Sequence, residues 1–188
     1  MKIARWVLYL MAIVFLGWIG WQNFSPAPIM VLRYKKGDPA SPISDLYPHD
    51  RVIDLPENGS KQSFYREPIY FDVLVPPKIK QIAVDITWQN QLAPIVKLGA
   101  RKRGVDWIYN WQTLQDKNKS ENEQRKTLTW PRQDFFIDNN RVNFSLSVPD
   151  LEDKYGQIIV GDITATITRE PFGWPELVIY AKNIIGLK

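Results

Sequence analysis

The sequence predicts an all-β protein, an antiparallel β-sandwich of Ig-like or jelly-roll type, with one N-terminal transmembrane helix. Three observations lead there. Short segments of alternating apolar and polar residues recur from residue 68 onward, turn-forming residues separate them, and an uncharged apolar run stands near the N-terminus. Alternation with period two turns one side of each strand towards a core and the other towards water. Many such strands in succession pack as sheets face to face.

The N-terminal element comes from Trp6–Trp21 (WVLYLMAIVFLGWIGW), apolar throughout and extended by Phe24. As a helix, Trp6–Phe24 would span roughly 28 Å at ~1.5 Å per residue, close to one hydrocarbon core. Lys2 and Arg5 precede the run, and basic flanks stay cytoplasmic, so the remainder is expected on the extracytoplasmic side, periplasmic or cell-surface. Trp6 at one end and Trp18 and Trp21 at the other suit the two lipid–water interfaces. A cleaved signal peptide shares this plan, but the run exceeds the ~7–15 apolar residues usual there. In addition, Pro28 follows the small-residue pair Ser25 and Ala27. Residues 1–27 are therefore read as a retained single-pass signal-anchor in the lipid bilayer.

Residues 28–67 are rich in Pro, Gly, Ser and Asp. Pro39, Pro42, Pro48 and Pro56 forbid long helices and central strands there. This stretch reads as an extended arm carrying a short edge strand at Arg51–Leu55. Residues 68–188 then form the sandwich. Pro68–Val75 places Ile69, Phe71 and Val73 on one side. Gln81–Trp88 does the same with Ile82, Val84, Ile86 and Trp88, and Val142–Val148 with Val142, Phe144, Leu146 and Val148. Ile163–Thr168 alternates Ile163, Ala165 and Ile167 with threonines. Further strands are expected at Pro94–Ala100, Asp106–Leu114, Thr127–Trp130, Gln157–Val160 and Leu177–Lys182. Asp116–Lys126 is wholly polar and reads as a solvated loop lengthening a hairpin.

Composition excludes several classes. The formal net charge is +4, but without Lys2 and Arg5 the chain is close to balanced, so nucleic acid is not an expected partner. The absence of cysteine removes disulfides, thiolate metal sites and thiol nucleophiles, which for an exported domain suits a bacterial envelope. His49 is the only histidine, so no multi-His zinc site is available. No G-x-S-x-G frames a serine. Signal peptidase I shares the plan of an anchor plus an exported β-domain, but its S-M-x-P nucleophile segment is absent. No pair among the acidic residues stands out for glycoside hydrolysis. The chain is read as no enzyme.

Three clusters remain. Trp107, Tyr109 and Trp111 lie two apart and so project from one face of a strand. They form either core or an aromatic platform for a sugar ring. The opposite face carries Asp106, Asn110 and Gln112 with only Ile108 apolar, so the aromatic face is expected to point inward. Arg101, Lys102 and Arg103 read as a solvated basic turn. Asp150, Glu152 and Asp153 offer oxygen ligands for calcium, the one cofactor considered, although their spacing matches no EF-hand loop.

Val142–Thr168 (VNFSLSVPDLEDKYGQIIVGDITATIT) resembles the closing strands of galactose-binding-like jelly rolls. The resemblance implies a fold and no site residue. The function expected is a membrane-anchored, non-catalytic binding or assembly module of the cell envelope, with a protein partner preferred. The alternative is a tethered carbohydrate-binding module holding a surface glycan on Trp107, Tyr109 and Trp111; an exported hydrolase ranks third.

Overall fold

The computed structural model describes residues 2–24, 29–55, 61–90, 95–104, 107–116, 120–149, 151 and 158–170. Two compact units divide the chain: residues 29–168 form one, and residues 1–28 with 169–188 form the other.

In the smaller unit, α1 (Lys2–Phe24) is a helix of 23 residues. Its described side chains, Trp6 to Trp18, are all exposed. Among the described residues no helix is long and apolar enough to cross a membrane. The transmembrane helix expected over residues 1–27 is therefore not supported.

The larger unit is an all-β antiparallel sandwich. Its strands are β1 (Ile29–Arg33), β2 (Val52–Asp54), β3 (Gln62–Phe64), β4 (Ile69–Leu74), β5 (Ile79–Asn90), β6 (Ile95–Arg101), β7 (Tyr109–Asp116), β8 (Ser120–Pro131), β9 (Arg141–Ser147) and β10 (Ile158–Arg169). A six-stranded sheet runs β2-β3-β10-β5-β8, with β1 also paired to β10, and a four-stranded sheet runs β4-β9-β6-β7. From β3 onward the chain changes sheet at every connection except β6 to β7. That alternation is the jelly-roll arrangement rather than the Ig-like one.

The expected alternation holds. Ile69, Phe71 and Val73 of β4, Ile82, Val84, Ile86 and Trp88 of β5, and Ile163, Ala165 and Ile167 of β10 are all buried. From β9, Val142, Phe144 and Leu146 join them, with Val148 just beyond. Phe144 ties the layers together: it stacks on Phe71 with centroids 5.3 Å apart and meets Trp130 edge-on at 5.3 Å.

Three differences from expectation have local causes. The stretch 28–67 does not stand apart as an arm, because β1 pairs with β10 and β3 lies between β2 and β10. Between β1 and β2 the Pro-rich segment lies along β4. Leu74 N donates to Pro42 O at 2.7 Å and Tyr70 N to Tyr47 O at 2.7 Å, which covers a sheet edge that would otherwise be open. Residues 120–126, read as loop, belong to β8. They are polar because β8 is an edge strand, and its cations find partners: Arg125 Nε meets Asp85 at 2.7 Å and Lys126 Nζ donates to Thr113 O at 2.8 Å. The segments around Gln157–Val160 and Ile163–Thr168 are one strand, β10. It continues through Gly161, where a Cβ would collide with Thr87 Oγ1, and that oxygen accepts from Asp162 N at 2.7 Å. The strand expected at Leu177–Lys182 lies outside the described residues.

Candidate functional site

The outer face of the four-stranded sheet collects the chemistry. Alternation places Tyr70 and Asp72 outward from β4, Asn143 and Ser145 from β9, Lys97, Gly99 and Arg101 from β6, and Tyr109 and Trp111 from β7. One register row crosses the whole sheet: Tyr70 pairs with Ser145, Ser145 with Gly99, and Gly99 with Trp111. The two middle positions are small and the two outer ones aromatic.

That row explains how rings from opposite edges meet. At ~4.8 Å per strand, β4 and β7 are about 14 Å apart. The Tyr70 and Tyr109 rings nevertheless stack with centroids 6.2 Å apart and planes 26° apart. They lean inward over the space that Gly99 and Ser145 leave empty. Trp111 follows, its ring 5.2 Å from Tyr109. Tyr47, from the segment along β4, closes the other side 5.6 Å from Tyr70, and Trp107 stands 6.0 Å from Tyr70.

Hydrogen bonds lock these rings from below. Tyr109 OH donates to Asn143 Oδ1 at 2.7 Å, and Asn143 Nδ2 donates to Tyr47 OH at 2.7 Å and to Asp72 Oδ1 at 2.9 Å. Tyr47 OH donates to Asp72 Oδ2 at 3.1 Å. Burial raises the Tyr47 hydroxyl well above the usual phenol range, and the Asp72 carboxylate adds to the shift. Burial raises Tyr109 likewise, with Tyr70 contributing. Both phenols stay protonated donors at any physiological pH. Ser145 Oγ is buried in the row with no hydrogen-bond partner among the described residues.

The inward orientation expected for Trp107, Tyr109 and Trp111 does not occur. Trp107 is 61% exposed and Trp111 41%, with Tyr109 half-buried between them. The polar face of β7 points inward instead, because β7 is an edge strand whose inner side meets β8. There Trp130 Nε1 donates to Asn110 O at 3.0 Å and Gln112 Nε2 to Thr129 O at 2.8 Å. The Gln112 amide thus finds an acceptor on β8, and the Asn110 main-chain carbonyl receives the Trp130 indole.

Arg101 is not a free turn residue. Its guanidinium carbon lies 4.4 Å from the Trp107 ring centroid and 5.9 Å from that of Phe136. Lys102 and Arg103 beyond it are exposed. A cleft of about 240 Å³ beside the rings is lined by Tyr47, Asp72, Arg101, Trp107, Phe136 and Asn143, among others. A larger cleft, about 540 Å³, lies on the outer face of the other sheet among Arg33, Asp85, Thr87, Arg125 and Asp162. Among the described residues lining it Tyr34 is the only aromatic one, so they form no platform.

Asp150, Glu152 and Asp153 lie outside the described residues, and among the described residues no group of three or more His, Cys, Asp or Glu is placed to hold a metal ion. On α1, Trp6 and Trp18 are exposed, while the Trp21 side chain lies outside what is described. Sequence reading missed Tyr47, Tyr70, Asp72 and Asn143. Their one local signal is that Tyr70 and Asp72 occupy the outward positions of an alternating strand.

No family model matches the chain, and no curated protein does. Among solved structures it is similar to a CBM4 (15% identity, 74% of this chain and 86% of that one, TM-score 0.42). It is also similar to the C-terminal CBM6 of LamC, a marine laminarinase from Zobellia galactanivorans (8% identity, 73% and 99%, TM-score 0.42). A third is the CBM22-1 xylan-binding domain of Paenibacillus barcinonensis Xyn10C (7% identity, 75% and 94%, TM-score 0.41). Scores this low carry no inference about the site, which stands on the geometry above.

Proposed function

We propose that the protein is a non-catalytic carbohydrate-binding module whose binding surface is the outer face of the four-stranded sheet. One observation carries this reading: Tyr70, Trp107, Tyr109 and Trp111 converge on one surface, and both indoles are exposed. Exposed aromatic clusters on a folded domain mark binding surfaces. A pyranose ring offers an apolar C–H face to stack on such rings and hydroxyls for polar groups at the rim. The Tyr47–Asp72–Asn143–Tyr109 hydrogen bonds hold the tyrosines in place before a ligand arrives, which lowers the ordering cost of binding.

The test is a glycan array probed with the full-length protein and with Trp107→Ala and Trp111→Ala. The reading expects at least one glycan class to be bound by the wild type and lost in both variants. Retention by both variants, or no glycan bound at all, would contradict it. The absence of catalysis is checked by incubating the bound glycan with the protein; no new reducing ends are expected.

A protein partner, preferred on sequence grounds, is the second reading. Ile29 and Val31 on β1 and Ile53 on β2 are exposed apolar residues near strand edges, where another chain can add a strand. Crosslinked complexes lost in Ile53→Lys but kept in Trp111→Ala would favour it.

We further propose that α1 tethers the module to a membrane with the sandwich extracytoplasmic. The support is the apolar run of the sequence and the exposure of every described side chain from Trp6 to Trp18, a surface that needs an apolar environment. Protease added outside intact spheroplasts should digest the sandwich. Protection of the C-terminal portion, or recovery of the intact chain in the soluble fraction, would refute the tether.

A further inference from the structure

We infer that the glycan held on this face is anionic, with Arg101 receiving the carboxylate of a uronic acid residue. This rests on the carbohydrate-binding reading above and names its ligand class.

Arg101 ends β6 on the platform side, and its guanidinium is held against Trp107 at 4.4 Å and Phe136 at 5.9 Å. Contact with two aromatic rings fixes a cation in place without neutralising it. Its Nε is buried with no hydrogen-bond partner among the described residues, which leaves the two Nη groups to meet a ligand. Among the described residues no carboxylate makes an ion pair with it. A positioned guanidinium without an anion suits a carboxylate, which it binds through two parallel N–H···O bonds.

The carboxylate of Asp72 in the same cleft is in a different condition. Asp72 has each carboxylate oxygen already accepting, one from Tyr47 OH at 3.1 Å and the other from Asn143 Nδ2 at 2.9 Å. Asp72 and Asp138 line the cleft together with Arg101 and Arg141, so the lining is balanced by count. Asp138 and Arg141 offset one another in charge and Asp72 is engaged by Tyr47 and Asn143, so selectivity comes from Arg101, the cation held against two rings. The exposed Lys102 and Arg103 that follow it add positive potential to the same end of β6.

The experiment titrates full-length protein with polygalacturonate and with the same polymer after its carboxyl groups are reduced to alcohols. Wild type, Arg101→Gln and Trp111→Ala are compared, each first shown by circular dichroism to keep the wild-type spectrum. The expected result is at least tenfold tighter binding of the acidic polymer, weakening as salt is raised. Arg101→Gln should lose about tenfold more on the acidic polymer than on the reduced one, whereas Trp111→Ala should weaken both alike. Arg101→Lys keeps the charge but not the fork and should retain part of the preference. Equal binding of the two polymers, or an unchanged ratio in Arg101→Gln, overturns the inference and leaves the carbohydrate reading intact. Binding of neither polymer but of a neutral glycan on the array does the same. Failure to bind any glycan overturns both.

Discussion

The Trp111 indole occupies the space that a side chain at position 99 would need. A Cβ placed on Gly99 falls 2.7 Å from Trp111 Cε3 and 2.9 Å from Tyr109 Cβ. Gly99 is therefore a condition of the platform, since only a bare backbone there lets the rings of β7 settle on the sheet.

Gly99→Ala should displace Trp111 and Tyr109, at a cost of about 1–3 kcal/mol in stability typical of overpacking. Glycan binding should fall more steeply than stability alone explains. Urea unfolding and titration of the same preparation check the two effects separately.

Tyr109→Phe removes the 2.7 Å bond to Asn143 Oδ1. The ring remains, so stacking persists, and the loss should be about 1 kcal/mol in stability, typical of one hydrogen bond. A thermal melt shows it; an unchanged melt would mean that Asn143 does not hold the ring.

The phenols of Tyr47 and Tyr109 carry raised pKa values in the fold, above the ordinary 10.0, chiefly through burial. The folded state thus holds these protons more tightly than the unfolded chain does. Their contribution is fully present below about pH 10 and is lost as pH rises beyond it towards the folded values. Unfolding free energy should decline from pH 10 to pH 11.5, and less steeply in Tyr109→Phe. An equal decline in that variant would contradict the assignment.

How much of this was legible beforehand depends on where each strand lies in its sheet. β4, β5 and β9 bury one face against the opposite sheet, so their alternation could be read directly. The outer half of β8 could not, because an edge strand with charged cross-strand partners looks like a loop. The strands within residues 28–67 are short, and β1 finds its partner in β10, more than a hundred residues away in the chain. The spacing of Trp107, Tyr109 and Trp111 correctly put them on one face. Which way that face pointed was hidden, since it depends on β8 meeting the Gln112 amide and the Asn110 main-chain carbonyl from the other side. The meeting of Tyr70 with Tyr109 has no local signature, because it depends on Gly99 and Ser145 sharing a register row.

Gly161 makes a second tight approach, to Thr87 Oγ1. Gly161→Ala should cost about 1–3 kcal/mol. Thr87→Ala removes the obstructing oxygen along with the acceptor of Asp162 N. The double variant should therefore be more stable than the sum of the two single losses predicts, and a double-mutant cycle in urea reads the difference.

The most direct measurement of the central claim is the affinity of the full-length protein for its best array glycan, set against Trp107→Ala and Trp111→Ala. The account predicts at least a tenfold loss in each, with the melting temperature held within a few degrees of wild type. Wild-type affinity in both folded variants would show that the exposed rings are not where a glycan sits.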